Sequence, residues 1–152
     1  SCTAVIDSFA KSGDVAGAVC WLGRMRAVQL TADKVTYTSV IDSFARLGDS
    51  SGAAEWIQQM AVAQVQPDEF AFNAVIDSCA KTGDMASAAY WLDQMAGAGL
   101  KPNAVSYNSL ISGSSNSGNP SAAVLWLRRM TELRLAPETV SCNAVINAFA
   151  QS

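Results

Sequence analysis

The sequence predicts an all-α fold, an α-solenoid of nine helices arranged as tandem helical hairpins. Three observations carry that expectation. The first is a repeat at a step of 35 residues: Val5-Ile6-Asp7 returns as Val40-Ile41-Asp42 and Val75-Ile76-Asp77, then weakens to Leu110-Ile111-Ser112 and Val145-Ile146-Asn147. Gly13, Gly48, Gly83 and Gly118 keep the same step, as do Trp21, Trp56, Trp91 and Trp126, and Met25, Met60, Met95 and Met130. Residues 36–70 and 71–105 agree at 15 of 35 positions with no insertion. The second is apolar spacing at i, i+3, i+4 and i+7 in each half of the unit, the period of a helix with one buried face. The third is punctuation: a Gly-Asp pair divides most units, and Pro-Asp, Pro-Asn or Pro-Glu closes several of them.

The elements follow in order. The chain opens on a helix of the first type, because Ser1 aligns with Thr36. In Thr36–Leu47, which shows that type most clearly, Tyr37, Val40, Ile41 and Phe44 form the apolar stripe. Gly48 stands where a left-handed C-terminal cap belongs, since Gly takes positive φ without a Cβ penalty. Asp49 then opens the second helix as an N-cap or first-turn acid. That helix carries Ala53, Trp56, Ile57 and Met60 on one face. Pro67-Asp68 ends the unit and starts the next, as Pro102-Asn103 does one step later. The partial unit 1–33, the full units 34–68, 69–103 and 104–138, and the partial unit 139–152 form one array. A lone hairpin cannot bury both its faces, so neighbours must stack. Neither end carries a polar capping helix, and the expectation is a segment of a longer chain or ends covered by a partner.

Half of the 152 residues are hydrophobic, enough for a sizeable core. Charged residues reach only 15%, so neutral polar side chains cover much of the surface. Ten Lys and Arg against thirteen Asp and Glu leave a net charge of −3, which argues against duplex DNA or an anionic bilayer as partner. The absence of histidine removes His-dependent triads, His-bearing zinc protease motifs and most imidazole acid–base chemistry. No run approaches the ~18 apolar residues of a membrane span, so no membrane insertion is expected. No leader stands at the start, so any targeting segment would lie outside this stretch. Cys2, Cys20, Cys79 and Cys142 form no C-x-x-C pair and match neither a zinc site nor a disulfide framework. Reduced, mostly buried thiols are expected, with no metal and no cofactor.

The string Val35-Thr36-Tyr37-Thr38-Ser39-Val40-Ile41-Asp42, followed by Gly48, Ala54, Met60 and Pro67-Asp68, resembles the pentatricopeptide repeat (PPR) family. The skeleton returns from Val105-Ser106-Tyr107-Asn108-Ser109-Leu110-Ile111 through Met130 and Pro137-Glu138. The resemblance spans the chain and implies a right-handed α–α superhelix that reads single-stranded RNA one base per repeat, mostly in mitochondria and plastids. It implies base-reading residues just after the helix aromatic and just after the loop Pro. Carried over, the pairs are Thr3 with Asp33, Thr38 with Asp68, Asn73 with Asn103, and Asn108 with Glu138, and Asn143 begins a fifth. Residues that wedge between bases would be Val35, Phe70, Val105 and Val140. Lys11, Arg46 and Lys81 would face the phosphates.

The chemistry of these slots can be argued from the residues. A carboxylate only accepts hydrogen bonds, so Asp33 or Asp68 suits a donating edge, guanine N1–H and N2–H or uracil N3–H. An amide also donates, so Asn103 serves the ring nitrogens of cytosine or adenine as well. The family's code puts Thr with purines and Asn with pyrimidines, giving 5′-G-G-Y-Y with Asn108/Glu138 an unusual last pair. Each residue has a plainer reading too. Asp33, Asp68, Asn103 and Glu138 suit helix N-caps. Lys11, Arg46 and Lys81 stand four residues after Asp7, Asp42 and Asp77, as surface ion pairs do. Tyr37, Phe72 and Tyr107 (Cys2 and Cys142 in the outer units) and the four tryptophans fall on stripes that favour packing over base stacking. Cys79, in the place of Phe9, Phe44 and Phe149, reads as a small core residue.

Two functions follow as expectations. The first is sequence-selective RNA binding in organellar RNA processing, stability or translation, without catalysis by this segment. The alternative is a scaffold that holds protein subunits of an organellar assembly, such as a ribosome or membrane complex.

Overall fold

The computed structural model describes residues 2–151. Among them stand nine helices and no strand: α1 (Cys2–Ser12), α2 (Val15–Ala27), α3 (Lys34–Arg46), α4 (Ser50–Val62), α5 (Glu69–Lys81), α6 (Met85–Gly97), α7 (Ala104–Asn116), α8 (Pro120–Glu132) and α9 (Thr139–Gln151). None is long and apolar enough to cross a membrane. From α3 on, first-type helices begin at the predicted step of 35, and so do all second-type helices. Helix α3 starts two residues before the expected Thr36. Its N-cap is Asp33, whose carboxylate accepts from Thr36 N at 2.9 Å and so holds Lys34 and Val35 in the first turn.

Contacts divide the chain into two compact units, one ending at Val75 and the other beginning at Ile76. In the first, α1 packs on α2 and α3, and α3 on α4. In the second, α7 packs on α6, α8 and α9, and α8 on α9. The Val-Ile signature is core throughout most of the array: Ile6, Val40, Ile41, Val75, Ile76, Leu110 and Ile111 are fully buried, with Met60, Met95 and Met130 beside them. Burying a side chain of this kind contributes about 1.5–3 kcal/mol, and here the contribution recurs with every hairpin.

Polar punctuation fixes the ends. Asp49 caps α4 through Gly52 N at 2.8 Å, and Asp14, Asp84 and Asn119 cap α2, α6 and α8 through the third residue onward in the same way. Gly48 takes φ +75°, the left-handed conformation that terminates α3 and lets Asp49 N bond Phe44 O at 3.0 Å. The joints between hairpins use the same conformation with less suitable residues, Gln29 at φ 57°, Gln64 at 59° and Arg134 at 57°, and only Gly99 conforms to the rule. The left-handed residues of the other three joints escaped the sequence reading because no glycine marks them.

A size exchange runs along the array. A Cβ on Gly17 would lie 2.7 Å from the Phe9 ring, and one on Gly52 only 2.5 Å from the Phe44 ring. One and two steps later the ring shrinks to Cys79 and Ser114, and the facing glycine grows to Ser87 and Ala122. The cap does not forbid the larger residue, since Asp84 still accepts from Ser87 N at 3.0 Å. The phenyl ring does. The cysteines correct one expectation: only Cys79 is buried, Cys2 is half-buried, and Cys20 and Cys142 are exposed, all four as free thiols. Cys20 stands on α2 at the place of exposed Glu55 and Tyr90, and Cys142 on α9 at the place that buried Tyr37, Phe72 and Tyr107 hold in the units before it.

Gly52→Ser is expected to destabilise the protein by about 1–3 kcal/mol through overpacking against Phe44. Adding Phe44→Cys should recover part of that loss. Urea unfolding of the two single variants and the double variant measures the coupling, and strict additivity would show that the positions do not compensate.

Candidate nucleic-acid interface

The first-type helices carry every candidate slot, and their N-caps set the register. Asp33, Asp68 and Asn103 each accept a hydrogen bond at Oδ1 from the backbone N–H three residues on, Thr36, Ala71 and Ser106, at 2.9, 3.0 and 3.2 Å. The capping reading is therefore correct for all three. Each side chain also carries a second polar atom, Oδ2 or the amide nitrogen, and that of Asp68 faces Lys34 Nζ at 3.8 Å. Glu138 differs: one methylene longer, it serves the start of α9 through its backbone carbonyl, which accepts from Ser141 N at 3.0 Å.

A hydroxyl at the third helical position ties the slots together. Thr36 Oγ1 lies 2.7 Å from Asp33 Oδ1 and 3.2 Å from Thr3 Oγ1, so one hydroxyl bridges both members of the first pair. Ser141 Oγ donates to Asn108 Oδ1, which turns the Asn108 amide nitrogen away as the free donor. Ser106 completes a capping box with Asn103. Thr38 and Asp68 are joined differently. The Thr38 hydroxyl donates to Lys34 O at 2.9 Å, and Lys34 Nζ stands 3.8 Å from Asp68 Oδ2. Asn73, half-buried on α5, belongs to the first unit and Asn103 to the second. Asn143 is exposed on α9. The sequence reading missed Thr36, Ser106, Ser141 and Lys34. The spacing Asx-x-x-Ser/Thr was the available signal for the hydroxyls.

The four wedge candidates are all exposed: Val35 59%, Phe70 76%, Val105 56% and Val140 66%. Large apolar side chains held in water at one fixed step are not core residues. By contrast Tyr37, Phe72 and Tyr107 are buried. Tyr37 packs on Trp56 and Tyr107 on Trp126 with ring centroids 6.2 and 6.3 Å apart, so these aromatics pack within the hairpin as expected. Burial pushes the Tyr107 phenol above its ordinary pKa.

In the second unit these residues converge on a cleft of about 370 Å³ lined by Val105, Asn108, Glu138, Asp77 and Lys81, with Ser112 and Asn116 behind. A second cleft of about 360 Å³ repeats it one step along the chain, with Val140, Asn143, Ser112, Asn116, Asn147 and Gln151 in the corresponding places. One wedge and one polar slot thus recur per hairpin. The first cleft holds charges of both signs. The polar groups of the second are hydroxyls and amides alone.

The basic column is engaged in the expected i, i+4 ion pairs: Lys11 Nζ to Asp7 Oδ2 at 2.6 Å, Arg46 Nε to Asp42 Oδ2 at 2.8 Å, and Lys81 Nζ to Asp77 Oδ2 at 2.6 Å. Ser39 Oγ donates to Asp7 and Ser109 Oγ to Asp77, at 3.1 and 3.0 Å, anchoring those carboxylates from the next first-type helix. The Lys11 hydrogen bond, followed by that of Ser39, holds the Asp7 carboxyl below its ordinary value. All three cations remain mostly exposed. Exposed pairs of this kind are worth about 0.3–0.5 kcal/mol, so a phosphate could recruit the cation at little cost. Among the described residues no group of three or more His, Cys, Asp or Glu is placed to hold a metal.

Two-helix units of fixed length, with polar clefts on the first-type helices α7 and α9, define a helical-repeat protein. Sequence profiles identify which one: the PPR repeat family matches residues 32–81 and 67–116, and the PPR repeat matches 1–29 and 105–135. The chain belongs to the pentatricopeptide repeat family. Curated protein sequences give no significant match. Among solved structures, the pentatricopeptide repeat protein PPR10 from maize superposes on 99% of the chain with a TM-score of 0.89 and 25% identity. PPR10 in complex with an 18-nt psaJ RNA element matches 97% of the chain at TM-score 0.83 and 26% identity. The chain spans 22% of the length of PPR10. The PPR domain of Arabidopsis thaliana protein-only RNase P 1, in complex with tRNA, shares the fold over 96% of this chain and 77% of its own, with a TM-score of 0.80 and 21% identity.

Hydrogen bonds from the Thr36 hydroxyl and backbone N–H hold the Asp33 carboxyl below its usual pKa of 3.8. A depressed folded-state value means the cap contributes fully above the unfolded pKa and is lost as pH falls through the folded one. Asp33→Ala is expected to cost about 1 kcal/mol near neutral pH, and Asp33→Asn much less. Unfolding followed from pH 7 downward should show the Ala deficit vanish in acid. A deficit independent of pH would show that the ionised carboxylate is not the stabilising species.

Proposed function

We propose that this chain binds single-stranded RNA, taking one base at each hairpin. The observation that carries the reading is the cleft around Val105, Asn108 and Glu138 and its repetition around Val140 and Asn143. An exposed apolar side chain beside a polar slot suits a base, whose faces are apolar and whose edge is polar. The likeness to PPR10, solved with an RNA element, supports the same ligand class. Thr3/Asp33 and Thr38/Asp68 would each take guanine, Asn73/Asn103 and Asn108/Glu138 a pyrimidine, for a core of 5′-G-G-Y-Y. Val35, Phe70, Val105 and Val140 separate neighbouring bases. Lys11, Arg46 and Lys81 meet the phosphates by exchanging an intrahelical carboxylate for an external one. The segment itself performs no chemistry on the RNA, and its setting is an organelle, as is usual for the family.

With three cations on the strand, log K is expected to fall with log salt at a slope of about −2. Asp68→Asn turns an acceptor into a donor and should move the preference at one base from guanine to adenine by about tenfold or more. Fluorescence anisotropy with oligomers that differ at that base measures both. Equal ranking of the oligomers by parent and variant would remove base reading at this hairpin. A parent that binds none of them, even at low salt, would leave the protein-scaffold alternative.

A further inference from the structure

The slot of Thr38 and Asp68 is short of a donor. The Thr38 hydroxyl gives its proton to Lys34 O at 2.9 Å and so offers a ligand lone pairs only. Asp68 uses Oδ1 to cap α5 through Ala71 N at 3.0 Å, and its Oδ2 can only accept. Two acceptors side by side match the adjacent N1–H and N2–H of guanine but leave its O6, like O4 of uracil, without a donor. The missing donor stands next to them. Lys34 Nζ lies 3.8 Å from Asp68 Oδ2, with the ammonium still half open to solvent.

Resting on the RNA reading above, we propose that Lys34 is a third base-reading residue of the hairpin 34–68, one that selects a keto oxygen. Asp68 Oδ2 accepts from the ring N–H of guanine or uracil. Lys34 Nζ donates to the adjoining O6 or O4. Thr38 accepts from the 2-amino group, which only guanine offers, so the trio completes the guanine edge. Adenine and cytosine place an amino group where the keto oxygen stands, and its hydrogens would face the ammonium. The device belongs to this hairpin alone, since the residues at the corresponding places are Glu69, Ala104 and Thr139. A surface ion pair without a ligand would be worth too little to matter. Here the pair holds a donor and an acceptor in the order that a keto base requires.

The test is a comparison of two RNA oligomers that differ in one atom at the base aligned with this hairpin, guanine or 6-thioguanine. The thio base keeps N1–H and the 2-amino group and replaces O6 with a weak acceptor. The parent protein should bind the guanine oligomer about five- to tenfold more tightly, a difference of the size expected for one good base contact. Lys34→Met should erase that difference, and Lys34→Arg should keep it. Lys34 is exposed on the first turn of α3, and an unchanged thermal midpoint would show that the Met variant remains folded. If Lys34→Met weakens both oligomers equally and lowers the salt slope by about one ion, Lys34 is a phosphate contact and the proposal is wrong. The same holds if parent and variant discriminate the two oligomers identically. A parent that binds neither oligomer overturns the RNA reading together with this one.

Discussion

The side-chain cap at the start of α3, α5 and α7 is the interaction on which the rest of the structure depends. Asp33, Asp68 and Asn103 give one oxygen to a backbone N–H in the first turn, which fixes where the helix begins. The starting point then decides which residues face the neighbouring hairpin and which face solvent. With Asp33 at the cap, Tyr37, Val40 and Ile41 turn inward while Val35 is left outside. Each cap is thereby confined to a short list of types. Asp, Asn, Ser and Thr satisfy the helix, and within that list the choice sets what a ligand edge would meet.

The hairpins, their length and their packing faces were legible in the sequence because each is a local pattern repeated at fixed distance. Chance agreement at one position is erased by the next repeat. Val40-Ile41, Trp56 and Met60 needed no tertiary information to be assigned. The plain readings of the aromatics and of the Asp-Lys pairs were legible for the same reason, since i, i+4 neighbours are set by the helix itself. What remained hidden depends on which atom holds a proton and on contacts across hairpins. The Thr36 bridge between Asp33 and Thr3 joins residues from two units of the repeat, and the direction of the Thr38 hydroxyl is decided by a backbone carbonyl. The cysteines were misread because burial was inferred from residue type. Cys20 occupies an outward position that the period itself marks, since Glu55 and Tyr90 at the equivalent places are also exposed, whereas Cys142 stands at the place of buried Tyr37, Phe72 and Tyr107 and is exposed on the last described helix.

The exchange of Phe9-Gly17 and Phe44-Gly52 for Cys79-Ser87 and Ser114-Ala122 shows how such an array tolerates divergence. Each hairpin solves its packing internally, between its own two helices, so a loss of ring volume on one helix is met by added volume on the other. The step of 35 and the caps are untouched. Repeats can thus vary inside while remaining interchangeable at their faces. The cost appears where compensation is incomplete: the Ser114 hydroxyl is buried with no hydrogen-bond partner among the described residues.

The second cleft, lined by Asn116, Asn143, Asn147 and Gln151, holds no charged side chain. Dipolar groups displace no condensed counterions when a polyanion settles on them. Attachment at that station would feel brine and magnesium far less than attachment near Lys11 or Arg46. A ligand engaged along the chain would accordingly be released unevenly as ionic conditions rise, letting go of the early hairpins while its far end stays moored.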